Sequence, residues 1–258
     1  HKRRILSSLG GGLFQKVGLK KFLSQGTVWI EHRNKWGSDF MKYIDMENWE
    51  RKEHYHFFKD FDYPHFNICA NVDITELRKY VKERDISFFI AFLYVSVRAA
   101  NSVKELKYRI RGDRVVEHEK VHPSFTLMTS KNVFRFCPTD YHEDFQTFFK
   151  ETSEKMKENK DAVSLEDEPG RDDLLFISSI PWVSFTSITH PINLRAVDSI
   201  PRISWGKFFE EHEKLKLPLS LQAHHALVDG AHVGEFFIRV QEILDNPQKY
   251  LEGHIRIT

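Results

Sequence analysis

Several features that settle a sequence quickly are missing from this chain. Only two cysteines, Cys69 and Cys137, occur in 258 residues, which excludes a disulfide framework as the source of its stability. Both lie in apolar, strand-like surroundings and read as buried free thiols of a reducing compartment, with a single disulfide as the alternative. No apolar run approaches the roughly 18 residues that a membrane span requires, so no span is expected. An excess of one charge is missing too. Lys and Arg number 38 against 37 Asp and Glu, a formal net charge of +1, so the chain lacks the basic footprint of a nucleic-acid binder and no nucleic-acid partner is expected. No internal repeat stands out, and no G-x-S-x-G elbow is present to hold a nucleophilic serine. These absences leave the expectation of a soluble, cytoplasmic protein. Its 41% hydrophobic content is enough for one sizeable core, in one large domain or two small ones.

The charge that is present is unevenly placed. The first 40 residues carry eight Lys and Arg against two Asp and Glu, a balance of +6, which leaves −5 on the other 218. Within them, residues 5–23 mix apolar side chains with lysines and carry glycines at 10 to 12, without the continuous apolar core of a secretory signal. This stretch reads as an added basic arm or a short helix packed on the domain, as a membrane-surface helix, or as a remnant of truncation, since the chain starts at His1 without a methionine. The division expected is a basic extension at 1–40 and one domain at 41–258.

That domain alternates strand-like and helix-like patterns. Asp73 or Thr75 caps a helix to about Arg84, and Ser87 opens an apolar one to about Asn101. Alternation from Tyr108 to Glu119 around Gly112-Asp113, and from Ser124 to Cys137 around Ser130-Lys-Asn132, reads as two hairpins. Residues 143–158 read as a helix, and the polar stretch 159–173 with Pro169-Gly170 as an exposed loop. Strands follow at about 174–180, 182–189 and 217–225, and a last helix at about 231–245. The fold class expected is α+β, a two-layer sandwich of mixed β-sheet and helices.

Chemistry concentrates in the run Leu221-Gln-Ala-His-His-Ala-Leu-Val-Asp-Gly-Ala-His-Val-Gly-Glu-Phe-Phe237. It sets a histidine and an aspartate four residues apart where an apolar strand gives way to a glycine. An imidazole whose tautomer and orientation are fixed there can act as a general base near neutral pH, and His225 is the candidate. A buried structural histidine is one alternative. A metal set drawn from His224, His225, Asp229 and His232 is another, although Gly230 interrupts the single helical face that a zinc pair needs.

Two further segments, Asp45-Met-Glu-Asn-Trp-Glu-Arg-Lys-Glu-His-Tyr-His-Phe-Phe58 and Phe176-Ile-Ser-Ser-Ile-Pro-Trp-Val-Ser-Phe-Thr-Ser187, decide between these readings. Together with the histidine run they resemble the chloramphenicol acetyltransferase family. That family has a W-x-R-x-E-H-F-like segment, a central S-x-x-P-W-V-x-F run and a late H-H-A-x-x-D-G-x-H-V run, in this order. The resemblance continues through Val72-Asp-Ile-Thr75, Glu105-Leu-Lys-Tyr-Arg-Ile110, Pro123-Ser-Phe-Thr126 and Leu217-Pro-Leu-Ser220. It spans roughly residues 43 to 248.

The resemblance implies a trimer with active sites between subunits. It implies an O-acetyltransferase that moves the acetyl group of acetyl-coenzyme A directly to a hydroxyl of chloramphenicol, inactivating the antibiotic. Acetyl-coenzyme A is then a co-substrate, with no tightly bound cofactor and no metal expected. His225 is implied as the base and Ser178 as the hydroxyl that meets the oxyanion; Ser179 is the neighbour that could be confused with it, and because side chains alternate across a strand only one of the pair is expected to face the site. Asp229 is implied to pair with Arg51 rather than with His225. Ser204 and Lys207 are implied on the coenzyme side, and Phe57, Phe58, Phe125 and Ile188 fit an acceptor pocket. His190 departs from the pattern by putting a polar ring where the family alternation is apolar. The alternatives are an acetyltransferase of the same mechanism for another small hydroxyl acceptor, a lipoyl acyltransferase core, and a non-catalytic trimeric binding protein.

Overall fold

The computed structural model describes residues 19–24, 27–34, 37–160, 170–194 and 197–252, with side chains from residue 40 onward. The chain divides into two compact units, the first ending at Lys42 and the second beginning at Tyr43. In the first, β1 (Leu19–Ser24), β2 (Thr27–Asn34) and β3 (Gly37–Tyr43) form antiparallel pairs, Leu19 opposite His32 and Ile30 opposite Met41. The short helix expected over 5–23 is therefore a strand from Leu19 onward. Residues 5–18, with the rest of that expectation, lie outside the described residues, as do residues 161–169 of the expected loop.

The second unit begins with α1 (Lys52–Phe58), β4 (His65–Asp73), α2 (Thr75–Glu83) and α3 (Phe88–Ser102). A hairpin of β5 (Tyr108–Arg111) and β6 (Arg114–His118) follows, then one of β7 (His122–Met128) and β8 (Phe134–Pro138). The order continues with α4 (Phe145–Asn159), β9 (Leu174–Ile180), β10 (Arg202–Gly206), β11 (Phe209–Glu211), β12 (Lys214–His224), α5 (Gly230–Asp245) and α6 (Pro247–Leu251). Turn chemistry sets both hairpins. Gly112 takes φ +59° in the first and Asn132 φ +58° in the second, the left-handed region that glycine and asparagine enter most readily. The Ser87 hydroxyl accepts the Ile90 N–H at the start of α3, and Asp144 accepts the Thr147 N–H at the start of α4. At α2 the cap position is Ile74, not Asp73 or Thr75. Asp73 instead accepts the N–H and hydroxyl of Thr75 from one residue further back.

The main sheet is mixed. β4 runs antiparallel along one edge of β12, while β10 and β11 occupy its other edge. The order continues from β10 through β9 and β7 to β8, with the β10–β9 and β9–β7 pairs parallel. Period-two alternation divides its residues. Phe125, Ile177, Ile203, Trp205, Leu219 and Leu221 are all buried in one core with the helices, where Phe89 and Phe92 of α3 meet Trp205 and Phe89 meets Phe125. Cys69, Ser220, Ser204 and Ser178 stand in register across four strands, out of phase with those core residues. Phe125, expected in an acceptor pocket, is thus a core residue. Cys137 is buried and free, and Cys69 is free but only half-buried.

The strand expected at 182–189 does not form. After Pro181 the chain leaves the sheet, and the Val183 carbonyl instead accepts the Lys207 N–H at 2.8 Å, at the end of β10. Gly206 makes this crossing possible, because a Cβ there would lie 2.6 Å from the Val183 carbonyl oxygen and 2.9 Å from Pro218 Cγ. Gly206→Ala is expected to destabilise the protein by roughly 1–3 kcal/mol through overpacking. Urea unfolding checks this, and an unchanged midpoint contradicts the close crossing.

Candidate active site

β12 ends at His224, and the turn that follows delivers the chain into α5 at Gly230. Asp229 is the helix cap: its side chain accepts the Ala231 N–H while the Asp229 N–H donates to His232 Nδ1, a reciprocal box that fixes the first turn. Arg51, just before α1, reaches this turn from 178 residues away and holds it at three points. Nη1 donates to Asp229 Oδ2 at 2.5 Å, Nη2 to the His225 carbonyl at 2.9 Å and Nε to the Ala226 carbonyl at 3.2 Å. The Arg51 guanidinium is well buried and Asp229 partly so. Burial alone raises the Asp229 carboxyl, but the hydrogen bond and charge of Arg51, with His232, outweigh it and hold the group below the usual carboxylate value. Asp229 therefore pairs with Arg51 and makes no hydrogen bond to the His225 ring.

The His225 ring is fixed by packing. It stacks on Phe58 with centroids 4.0 Å apart and planes within 5°, and meets Phe66 at 4.6 Å. Its backbone N–H donates to the Pro64 carbonyl at 2.7 Å. Nδ1 is buried without a hydrogen-bond partner, whereas Nε2 is not buried and makes no hydrogen bond among the described residues. Nε2 is the nitrogen free to meet a reactant. Phe57, exposed, and Phe61 extend the aromatic wall around Phe58, with centroids 4.9 to 5.3 Å apart.

A second group of the expected residues gathers elsewhere. A cavity of about 480 Å³ is lined by Ser178, Ser179, Ile188 and His190, with Thr126, Met128, Phe134, Ile180, Pro181 and Trp182, so both serines border it at the end of β9 where strand alternation predicts only one. The Ser204 hydroxyl, buried below it, is 2.8 Å from His190 Nε2. Lys207 is exposed, held through its backbone bond to Val183. The loop bearing Ile188 and His190 is pinned to the sheet: Asn67 donates to the Ile188 carbonyl, and Gln222 Oε1 accepts the His190 N–H. Phe125 belongs to neither group.

The two groups are far apart in one chain. Ser178, Ser204 and Ser220 share a row across three strands, and His225 lies five residues beyond Ser220. Strand spacings of about 4.8 Å and a rise of about 3.3 Å per residue then separate Ser178 from His225 by roughly 15–20 Å. No single carbonyl can touch both.

Some contributors had little signal in the sequence. Phe66 and Met128 read there as ordinary apolar residues, and Trp182 only as part of the P-W-V run. His224 was visible only as the first of a histidine pair; its Nδ1 accepts the Ala226 N–H at 3.2 Å and so braces the turn from inside. Among the described residues no cluster of three or more His, Cys, Asp or Glu is placed to hold a metal ion. No helix among them is long and apolar enough to cross a membrane.

The mixed sheet and its helices form a fold found among acetyltransferases. A dihydrolipoamide acetyltransferase of Azotobacter vinelandii shares it with a TM-score of 0.57 at 18% identity, over 77% of this chain and 88% of that one. Nearer likeness narrows the class. A solved chloramphenicol acetyltransferase matches with a TM-score of 0.72 and 31% identity, over 79% of this chain and 99% of that one. The chloramphenicol acetyltransferase of Klebsiella sp is 30% identical over 208 residues, 80% of this chain and 94% of its own length. The family model for chloramphenicol acetyltransferase matches residues 39–241. The chain belongs to the chloramphenicol acetyltransferase family and is an acyltransferase.

Burial, and then the neighbouring His65, push the His224 imidazole down to about 4 from an ordinary 6.5. A group depressed in this way takes up its proton more readily in the unfolded chain, so stability is full above about pH 6.5 and falls as pH drops from there to about 4. Melting temperatures across this window are expected to fall, and to fall less in His224→Asn, where an amide oxygen can still accept the Ala226 N–H. Equal slopes in the two proteins contradict the assignment.

Proposed function

We propose that the protein acetylates a hydroxyl of chloramphenicol at the expense of acetyl-coenzyme A, in the cytoplasm, and so inactivates the antibiotic. The observation that carries this reading is the Arg51 clamp on Asp229, His225 and Ala226, which leaves His225 Nε2 open in a chain of this family. His225 removes the proton of the acceptor hydroxyl, whose oxygen forms a bond to the thioester carbonyl carbon. The carbonyl electrons move to oxygen and give a tetrahedral oxyanion, to which Ser178 donates. Collapse breaks the carbon–sulfur bond, and the departing coenzyme A thiolate takes the proton back from His225. Ser204 and Lys207 belong to the coenzyme side, and Phe57, Phe58, Ile188 and His190 to the acceptor. Asp229 and Arg51 act on the reaction through the position of His225.

A base and an oxyanion donor roughly 15–20 Å apart in one chain act together only if they come from different copies. This supports a homotrimer whose sites lie between subunits, with His225 from one subunit and Ser178 from the next. A second reading, transfer by the same mechanism to another small hydroxyl compound, is supported by the polar His190 ring in the cavity. A non-catalytic binding protein has no chemical need for the clamp and the open Nε2 together.

Release of free coenzyme A thiol from acetyl-coenzyme A, with and without chloramphenicol, tests the proposal. Wild type is expected to release thiol only with chloramphenicol, His225→Ala to lose about 10²–10⁴-fold, and Ser178→Ala about 10²–10³-fold. Asp229→Asn is expected to lower kcat together with stability. If it keeps full stability and only its pH profile changes, its positioning role is wrong. Release that ignores chloramphenicol while binding of acetyl-coenzyme A persists moves the weight to another acceptor.

A further inference from the structure

The cavity beside Ser178 is mainly apolar, walled by Met128, Phe134, Trp182 and Ile188, yet one of its faces is an imidazole. His190 is half-buried and oriented from two directions. Its backbone N–H donates to Gln222 Oε1 at 2.9 Å, and its Nε2 is 2.8 Å from the Ser204 hydroxyl. Burial, and then the charge of Arg202, hold the ring below its ordinary value, so it is neutral near pH 7. Nδ1 is then the nitrogen left over. It is not buried and makes no hydrogen bond among the described residues. Next to it in the network, Gln222 is almost fully buried and its Nε2 donor has no partner among the described residues.

We propose that His190 determines acceptor choice: through Nδ1 it selects a hydroxyl compound that brings a second hydrogen-bonding group to this face, over an otherwise matched apolar one. Within the acyltransferase reading above, on which this rests, His190 adds a substrate class, a hydroxyl acceptor polar at two places. The physical cause is asymmetry. A polar ligand group satisfies Nδ1, whereas a methyl group or hydrogen in its place removes water from the ring and returns nothing, a loss on the order of 10- to 100-fold in binding. The Ser204 contact and the Gln222 contact fix the ring in advance, so little ordering is left to the ligand. A leucine at this position removes the preference.

The test compares three probes on the assembled full-length chain: chloramphenicol, its analogue with the aryl nitro group replaced by methyl, and its analogue with the secondary hydroxyl replaced by hydrogen. Wild type is expected to favour chloramphenicol over at least one analogue by about 10-fold or more in kcat/KM. His190→Leu is expected to lose that preference, chiefly by a lower KM for the analogue, while His190→Gln retains part of it. His190→Met carries the comparison if the leucine variant does not fold. Calorimetric titration of the same three compounds reads the preference as a Kd ratio without turnover. Identical ratios in wild type and the apolar variant overturn the role of His190, as does failure of all three compounds to bind. A Kd ratio that depends on His190 without any acetyl transfer upholds that role and overturns only the enzyme reading.

Discussion

The turn that carries His225 hangs on the guanidinium of Arg51. The turn between β12 and α5 satisfies its own N–H groups, with Leu227 and Val228 donating to the His224 carbonyl and Ala226 to His224 Nδ1, but its His225 and Ala226 carbonyls have to be met from outside the turn. Arg51 supplies the missing constraint with a planar set of donors that a lysine could not reproduce, meeting one carboxylate and two carbonyls at once. Asp229 joins the two ends of the arrangement, because the same side chain caps α5 and receives Arg51. Loss of either charge leaves the other partly buried without its partner, a cost of up to roughly 3–5 kcal/mol when burial is complete and less here, where Asp229 is about one-third exposed.

The sheet acts as a ruler for the rest. The row of Ser178, Ser204 and Ser220 marks one level across three strands, and β12 carries on past that level to end at His224, beside the start of β4. Rigid strands therefore keep the imidazole and the serine at a constant separation that no loop movement in one chain can close. Ser178 thus sits on a regular strand, whereas His225 directly follows one, in a turn that Arg51 holds.

How much of this could be read from the sequence depended on how local the cause was. The hairpins at Gly112 and Asn132 and the start of α3 at Ser87 were legible, because turn and cap chemistry act within three or four residues, and α4 was legible as a helix without its Asp144 cap. The candidate site residues came from three motifs, of which the histidine run alone left metal and structural readings open. Position in space was not legible. Phe125 looks like any pocket aromatic until its strand phase is known, and then it faces Phe89 in the core. Residues 182–189 alternate like a strand, but Pro181 and the Val183–Lys207 bond take them off the sheet. Among the described residues β4 owes its strand character to β12 and β10 to β9 and β12 on its two sides, and the cap of α2 fell to Ile74 because Asp73 is still part of β4.

The division of His225 and Ser178 between two copies is the claim most open to direct contradiction. Complementation measures it: His225→Ala and Ser178→Ala chains, each inactive alone, are unfolded together, refolded and assayed for chloramphenicol-dependent thiol release. In a randomly mixed cyclic trimer roughly a quarter of the sites combine an intact His225 with an intact Ser178, so about that share of wild-type activity returns. A mixture no more active than either variant by itself means that base and oxyanion donor must come from one chain, and the shared site is wrong.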